Sequence, residues 1–262
     1  MVLNRAIGNN ISERDSARIG PTIGAWFKRY RESYEWPPGS GRERSEQVIV
    51  NLQSSVYSSI IDRDTQKLAL SLVQIHRWKT QNRQDQTSKY YETLKSLGDN
   101  YLEKIINLGP FTSTNNLEHL IRTLKVRNCN LPVCTATASF LFNRQIVPIL
   151  DKFVSQFFTK QFKINLVDKE MAEVLQFIDK IPFKLENGGT GSLRLSVYTP
   201  SGFDYNLSKY INDFVPQCDR IAQTLRQSGI SYKDTQGRLV EFNPIDIDTT
   251  IFSYAIKHNS YF

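Results

Sequence analysis

Cysteine and histidine are scarce in this chain, which has three of each among 262 residues. The cysteines, Cys129, Cys134 and Cys218, are odd in number and form no CxxC or cysteine–histidine pattern. Disulfide frameworks and structural zinc sites both need such patterns. We therefore expect neither of them, and we expect no metal or other cofactor.

Long hydrophobic runs are also missing. No stretch approaches the roughly 20 apolar residues that cross a membrane, and the opening residues MVLNRAIGNN lack the apolar region of a signal peptide. With 40% hydrophobic residues, the chain is nevertheless long enough to bury a core. We therefore expect a folded intracellular protein that has no contact with membranes.

The net charge of +7 is concentrated in the middle of the chain, where residues 49–160 hold 14 basic and 8 acidic side chains. Such an excess is typical of a surface that binds a polyanion, because basic residues release counterions from phosphates. It is equally compatible with an ordinary solvated face.

Apolar residues recur at three- and four-residue steps along most of the chain, as at Leu68, Leu72 and Ile75. This is the period of an amphipathic α-helix. It predicts helices over 45–60, 64–78, 88–107, 115–126, 168–178 and 206–227, two more that start at Pro132 and Asp151, and a last one that follows NPIDID and ends near His258. One alternating run, SLRLSV at 192–197, predicts a lone strand or an extended loop. The predicted fold class is mainly α, with little or no β.

The first 44 residues, which end in EWPPGSGRER, have little periodicity. We expect them to form a weakly ordered N-terminal segment. Residues 45–262 are then expected to form one helical domain.

The stretch NLPVCTATASFLFNRQIVPILDKF, at 130–153, places a Pro-started apolar helix ahead of a single carboxylate, Asp151. A loop that turns into a helix N-terminus offers backbone N–H groups to a phosphate. The small residues of this helix would allow a phosphodiester to approach, and they would equally allow tight helix packing. Asp151 likewise has two interpretations, a helix N-cap or a carboxylate that performs chemistry.

This stretch resembles the helix-hairpin-helix (HhH-GPD) DNA glycosylase superfamily. There, the motif Leu-Pro-Gly-Val-Gly-x-Lys-Thr-Ala is followed by a Gly/Pro-rich loop and the catalytic aspartate. The matching residues are Leu131, Pro132, Val133, Thr137, Ala138, Pro148 and Asp151. The segments LVQIHRWKTQNR, ATASFLFN, VPILDKF and NPIDIDTTIFSYA are similar to a divergent branch related to 8-oxoguanine DNA glycosylases. The resemblance is strongest over 64–160, with the hairpin and the catalytic helix at about 115–160.

The chain departs from the family pattern at three points. Both hairpin glycines are missing, one deleted between Pro132 and Val133 and the other replaced by Cys134. The family's Schiff-base lysine would fall at Ala136, so strand cleavage through that position is not expected. No four-cysteine cluster follows Asp151, so an iron–sulfur centre is not expected either.

The resemblance implies a monofunctional DNA N-glycosylase of the cytoplasm and nucleoid. Such an enzyme would excise a damaged or modified base from double-stranded DNA, in repair or in defence against phages with modified bases. It implies that Asp151 stabilises the positively charged sugar and that Trp78 and Trp36 line the pocket for the flipped-out base. From the residues alone, each tryptophan is also, and more commonly, explained as a core or interfacial anchor, because Trp is usually largely buried. The implied DNA contacts are Pro132, Val133, Cys134, Thr135, Thr137, Arg77, Lys79, Arg83, Arg122, Lys125, Arg127, Arg144 and Lys152.

Two other functions stay open from the sequence. A non-catalytic DNA-binding protein would keep the scaffold and use Asp151 only as a cap. A helical protein-interaction domain would have no affinity for nucleic acid, and its behaviour would not depend on salt. No obligate protein partner is inferred.

Overall fold

The predicted mainly helical fold class is confirmed by a computed structural model of the chain. The structure describes residues 19–81, 83–109, 111, 114–142, 146–158, 169–180, 183–184, 190–191 and 202–258. The helices are α1 (Pro21–Glu32), α2 (Arg42–Ile61), α3 (Thr65–Lys79), α4 (Gln84–Asn107), α5 (Leu117–Leu124), α6 (Leu131–Leu141), α7 (Lys152–Phe158), α8 (Lys169–Lys180), α9 (Phe203–Lys209), α10 (Val215–Gln227) and α11 (Pro244–Lys257).

The strands are short. Strand β1 (Phe183–Lys184) pairs antiparallel with β2 (Thr190–Gly191). Strand β3 (Ser231–Lys233) pairs antiparallel with β4 (Leu239–Glu241). The expectation of little β structure therefore holds for the described residues, while the run at 192–197 lies outside them.

The helical periodicity located the central helices to within a few residues. Along α3, the predicted apolar stripe of Leu68, Leu72 and Ile75 is completely buried. Asp64 caps this helix, because its side chain accepts a hydrogen bond from the backbone N–H of Lys67 at 2.9 Å. An aspartate cap satisfies one of the N–H groups that a helix start leaves unpaired.

The last helix starts earlier than the sequence predicted. Helix α11 begins at Pro244, within the NPIDID segment, because Asn243 and Asp246 form a capping box in front of it. Proline suits the first helical position, where its missing N–H costs nothing. This early start places Asp248 inside the helix instead of in a loop.

The predicted weakly ordered segment is wrong for residues 19–44. Helix α1 packs on α11, and its Trp26 and Phe27 are completely buried. The Trp26 ring centroid lies 5.3 Å from that of Tyr254 in α11. Ile23, Trp26, Phe27 and Tyr30 recur at three- and four-residue steps, so α1 carries an apolar stripe that the sequence-based prediction overlooked. Residues 1–18 lie outside the described part of the chain.

One cluster of buried side chains contains residues from every helix from α1 to α11. A single shared core supports the expectation of one domain. In this core, α3 packs against α6, and α7 packs against α11. These contacts bring the end of α3, the start of α7 and the first half of α11 together around Asp151.

Candidate active site

Asp151 stands immediately before α7 and caps it. Its Oδ1 atom accepts a hydrogen bond from the backbone N–H of Phe153 at 2.9 Å, and its carbonyl accepts one from the N–H of Ser155 at 2.8 Å. The predicted capping role is therefore confirmed. A cap holds its carboxylate in one orientation, so this role leaves room for a second one.

Three hydrogen bonds fix the chain just ahead of Asp151. The backbone N–H of Leu150 donates to Thr135 Oγ1 of α6 at 3.2 Å. The backbone N–H of Ile149 donates to Asp248 Oδ2 of α11 at 3.1 Å, and the Tyr210 hydroxyl donates to the Pro148 carbonyl at 2.6 Å. Asp151 is consequently positioned by three separate parts of the fold.

Lys79, the last residue of α3, forms an ion pair with this carboxylate. Its Nζ atom lies 2.8 Å from Asp151 Oδ2, and the two side chains are only 10% and 18% exposed. The sequence predicted Lys79 as a phosphate contact, but in this structure its ammonium group is bound to Asp151 instead. One carboxylate oxygen thus faces a backbone N–H, and the other faces an amine.

The ion pair lies in the wall of a small cavity of about 30 Å³. This volume is sufficient for a water molecule, and the ionic groups could hydrogen-bond to one. Aromatic rings supply much of the wall. The lining residues are Tyr34, Trp36, Trp78, Lys79, Ile149, Asp151, Asp248, Thr249 and Phe252.

The two tryptophans predicted for a base pocket are both beside Asp151. The Trp36 indole N–H donates to the Trp78 carbonyl at 2.9 Å. Its ring also meets Phe252 edge to face, with centroids 5.0 Å apart, while Trp78 meets Phe140 in the same way at 5.4 Å. These contacts fix the orientation of both rings.

A second, larger cavity borders the same tryptophans. It measures about 470 Å³, a size typical of small-molecule sites. Arg44, Arg77 and the side-chain amide of Gln74 contribute polar groups to its wall. This cavity combines flat aromatic surface with hydrogen-bond donors, which suits a planar ring with polar edges.

The hairpin residues are placed differently from the prediction. Pro132 is partly exposed, but the side chains of Val133, Cys134, Thr135 and Thr137 are buried. We correct the prediction that these four side chains contact DNA, because they pack into the core in this structure. The reason is that α6 is apolar on nearly all sides and has neighbours in α2, α3 and α5.

The N-terminus of α6 also has fewer N–H groups to offer than expected. The side chain of Asn130 caps it by accepting a hydrogen bond from the Val133 N–H at 3.2 Å. The Asn130 side chain therefore already occupies one of the backbone N–H groups that were predicted to bind a phosphate.

The other predicted basic contacts fall into three groups: exposed residues, residues engaged by other protein groups, and residues outside the described part of the chain. Arg77, Arg83 and Arg127 are exposed and stay candidates for phosphate binding. Arg122 forms ion pairs with Glu118 and Asp204, which offset its charge.

Lys125 is exposed, but its ammonium group is engaged locally. It donates a hydrogen bond to the Cys129 carbonyl at 3.3 Å and lies 5.0 Å from the centre of the Phe203 ring. Arg144 and the side chain of Lys152 lie outside the described residues.

Sequence reasoning missed the contribution of α11 to the site. Asp248 and Phe252 both line the pocket, together with Tyr34 from the segment after α1. Asp248 and Phe252 are four residues apart, a spacing that puts two side chains on one face of a helix. The earlier start of α11 was needed to recognise this pair.

Within the described part of the chain, no cluster of three or more potential ligands could hold a metal ion. Among the same residues, no helix has both the length and the apolar character that a membrane span requires. No family model, curated protein or solved structure matches the chain.

Proposed function

We propose that this protein is a DNA N-glycosylase that excises a damaged or modified base and leaves an abasic site. The observation that carries the proposal is the Asp151 carboxylate, which is held rigidly at an aromatic-walled pocket. The biological setting would be DNA repair or defence against phage DNA with modified bases.

The chemistry requires a fixed negative charge. An N-glycosidic bond breaks through an oxocarbenium-like sugar, so a carboxylate beside C1′ stabilises the positive charge that develops. The same carboxylate orients or deprotonates the attacking water. Asp151 is the residue in this role, and the adjacent cavity of about 30 Å³ has room for the water.

The base must leave the duplex before it can reach such a site. The cavity of about 470 Å³ beside Trp36 and Trp78 has room for a base. Aromatic rings stack on the flat face of any base, and this contact is worth about 1–3 kcal/mol per base. Exposed Arg77, at the cavity wall, is suitably placed to bind the opened backbone.

The main alternative is a non-catalytic DNA-binding protein with the same scaffold. It is favoured by the observation that both Asp151 oxygens already have partners, the Phe153 N–H and the Lys79 ammonium. The alternatives differ in one respect. The enzyme needs the negative charge of Asp151, whereas the binding protein needs only its capping hydrogen bond.

The test compares wild type with Asp151→Asn. Asparagine caps helices as well as aspartate does, so the substitution removes the charge and keeps the cap. Both proteins would be incubated with duplexes that carry oxidised, alkylated, deaminated or hypermodified bases. Alkali then reveals abasic sites, and binding to each duplex is measured in parallel.

The proposal predicts abasic sites at one class of base with wild type, and their loss in Asp151→Asn while duplex binding is retained. Equal binding by both proteins without base release from any duplex would favour the binding protein. Absence of DNA binding altogether would favour a helical protein-interaction domain.

A further inference from the structure

We infer that Cys129 and Cys134 form a redox-active pair, which a small-molecule disulfide such as oxidised glutathione converts to an intramolecular disulfide. The two sulfur atoms lie 3.4 Å apart, and all three cysteines of the chain are free thiols in this structure. The pair does not have the CxxC spacing, so the sequence predicted no disulfide framework. The inference does not rest on the proposed glycosylase function.

The short distance between the sulfurs favours closure. A disulfide bond is about 2.05 Å long, so the two atoms need to approach each other by only about 1.4 Å. Cys134 is in the first turn of α6, where its N–H donates to the Asn130 carbonyl at 2.9 Å. Cys129 stands in the α5–α6 loop, residues 125–130. The loop can therefore supply the movement while the helix stays in place.

The α5–α6 loop is also the route by which a reagent reaches the pair. Most of its residues are exposed, whereas Cys129 is only 2% exposed. A hydrogen bond between the Asn128 carbonyl and the His76 ring, at 3.2 Å, holds the loop to α3. Exposed loops open locally at a lower free energy than packed helices do. Local opening therefore exposes Cys129 before it exposes Cys134, which is completely buried in α6.

The surroundings of Cys129 control its reactivity. In the closed loop, the hydrogen bond with Cys134 and burial raise the pKa of the Cys129 thiol well above its usual range. A protonated thiol is a poor nucleophile, so the closed pair resists oxidation. Lys125 acts in the opposite direction, and its ammonium group donates to the Cys129 carbonyl at 3.3 Å. Once the loop opens, water replaces the apolar surroundings, and this cation favours the thiolate.

The reaction consists of two thiol–disulfide exchanges. The Cys129 thiolate attacks one sulfur of oxidised glutathione, forms a mixed disulfide and expels a glutathione thiolate. Cys134 then loses its proton to solvent and attacks the Cys129 sulfur, which expels the second glutathione thiolate. The two protein sulfurs lose two electrons in total, and the two glutathione sulfurs gain them.

The experiment equilibrates the reduced full chain with mixtures of reduced and oxidised glutathione in the absence of air. Acid stops the exchange, an alkylating reagent blocks the remaining thiols, and trypsin digests the protein without reduction. Cleavage after Arg127 and Arg144 leaves both cysteines of the pair in one peptide, which loses the mass of two hydrogens when the disulfide forms. Cys218 is in a different peptide, so mass spectrometry distinguishes it from the pair.

Three variants make the result specific. Cys134→Ala leaves Cys129 without its partner, so the mixed disulfide with glutathione should accumulate on Cys129. Cys129→Ala leaves Cys134 buried in α6, and we expect this thiol to stay reduced. Cys218→Ala makes the same chemical change in α10, and the Cys129–Cys134 disulfide should form in it as in wild type. Circular dichroism checks the fold of each variant, and the wild-type measurement does not depend on them.

The inference is supported if folded wild type forms the Cys129–Cys134 disulfide and Cys134→Ala accumulates the mixed disulfide. The equilibrium constant for closure should be about tenfold or more larger for the folded protein than for the chain in urea, because the fold already holds the sulfurs in contact. The inference is overturned if the folded protein keeps both thiols reduced at every glutathione ratio, or if glutathione stays attached without closure. An equilibrium constant that is equal or smaller in the folded protein would also overturn it.

Discussion

The Thr135 side chain of α6 accepts a hydrogen bond from the backbone N–H of Leu150, the residue before Asp151. Thr135→Val keeps the shape of the side chain but leaves this buried N–H without its partner. We expect a loss of about 1–3 kcal/mol in the free energy of unfolding, measured by urea denaturation. Base release should also fall, because the carboxylate is less firmly positioned.

Thr137 provides a matched control for this change on the same helix. It is also buried, and among the described residues its hydroxyl has no hydrogen-bond partner. We expect Thr137→Val to be neutral or stabilising, because it removes a buried polar group that is not satisfied. Equal destabilisation by both substitutions would show that the Leu150 contact does not matter.

The Lys79–Asp151 ion pair should appear as a coupling in a double-mutant cycle. Lys79→Met leaves a mostly buried carboxylate without its counter-charge, whereas the double variant with Asp151→Asn leaves no charge at all. We therefore expect the double variant to be more stable than the sum of the two single effects predicts. The difference should be about 1 kcal/mol or larger. Urea denaturation measures each corner of the cycle, and strict additivity would contradict the contact.

His76 should make stability depend on pH. Burial lowers the pKa of His76 from its usual 6.5, and its hydrogen bond to the Asn128 carbonyl opposes this shift only in part. The unfolded chain then binds a proton more readily than the folded one. The free energy of unfolding should accordingly be unaffected by His76 above about pH 6.5 and should fall as the pH drops below it.

The comparison for this prediction is His76→Gln against His119→Gln, since His119 is exposed. Urea midpoints measured from about pH 8 to about pH 5 should show a smaller slope for His76→Gln than for wild type. His119→Gln makes the same chemical change at an exposed position and serves as the control. A slope unchanged in His76→Gln would assign the pH dependence to another group.

Arg77 should contribute to the salt dependence of DNA binding. If it contacts one phosphate, Arg77→Gln lowers the slope of log affinity against log salt by about 0.9. Arg238 is a suitable control, because it is exposed and pairs with Asp234 at the β3–β4 turn. Fluorescence anisotropy across a salt series measures both slopes, and an unchanged slope in Arg77→Gln would remove this residue from the interface.

The sequence predicted those features that depend on local pattern. The stripe of Leu68, Leu72 and Ile75 located α3, and a polar residue ahead of an apolar run located the cap at Asp151. Helix α1 was missed although Ile23, Trp26, Phe27 and Tyr30 have the same helical spacing, because polar and Gly/Pro-rich residues flank this short stripe on both sides.

The site was predictable only in part, because its contacts join distant parts of the chain. Lys79 and Asp151 are 72 residues apart, so charge alone suggested that Lys79 binds phosphate. For Thr135 the sequence left open an approach to a phosphodiester or tight helix packing, and the structure shows the packing. Trp36 and Trp78 line the same pocket as Asp151, and their role in holding a base stays a prediction.

The most direct test of the central claim asks whether Asp151 stabilises positive charge on the sugar. It compares the affinity for a duplex with a protonated pyrrolidine, which mimics the charged sugar, with that for a duplex with neutral tetrahydrofuran. Wild type should bind the cationic duplex on the order of 100-fold more tightly than the neutral one. This is the low end for transition-state analogues, because the nearby Lys79 ammonium repels the cation. Asp151→Asn should lose this preference and still bind tetrahydrofuran as wild type does. Equal affinity of wild type for the two duplexes would contradict the catalytic role of Asp151.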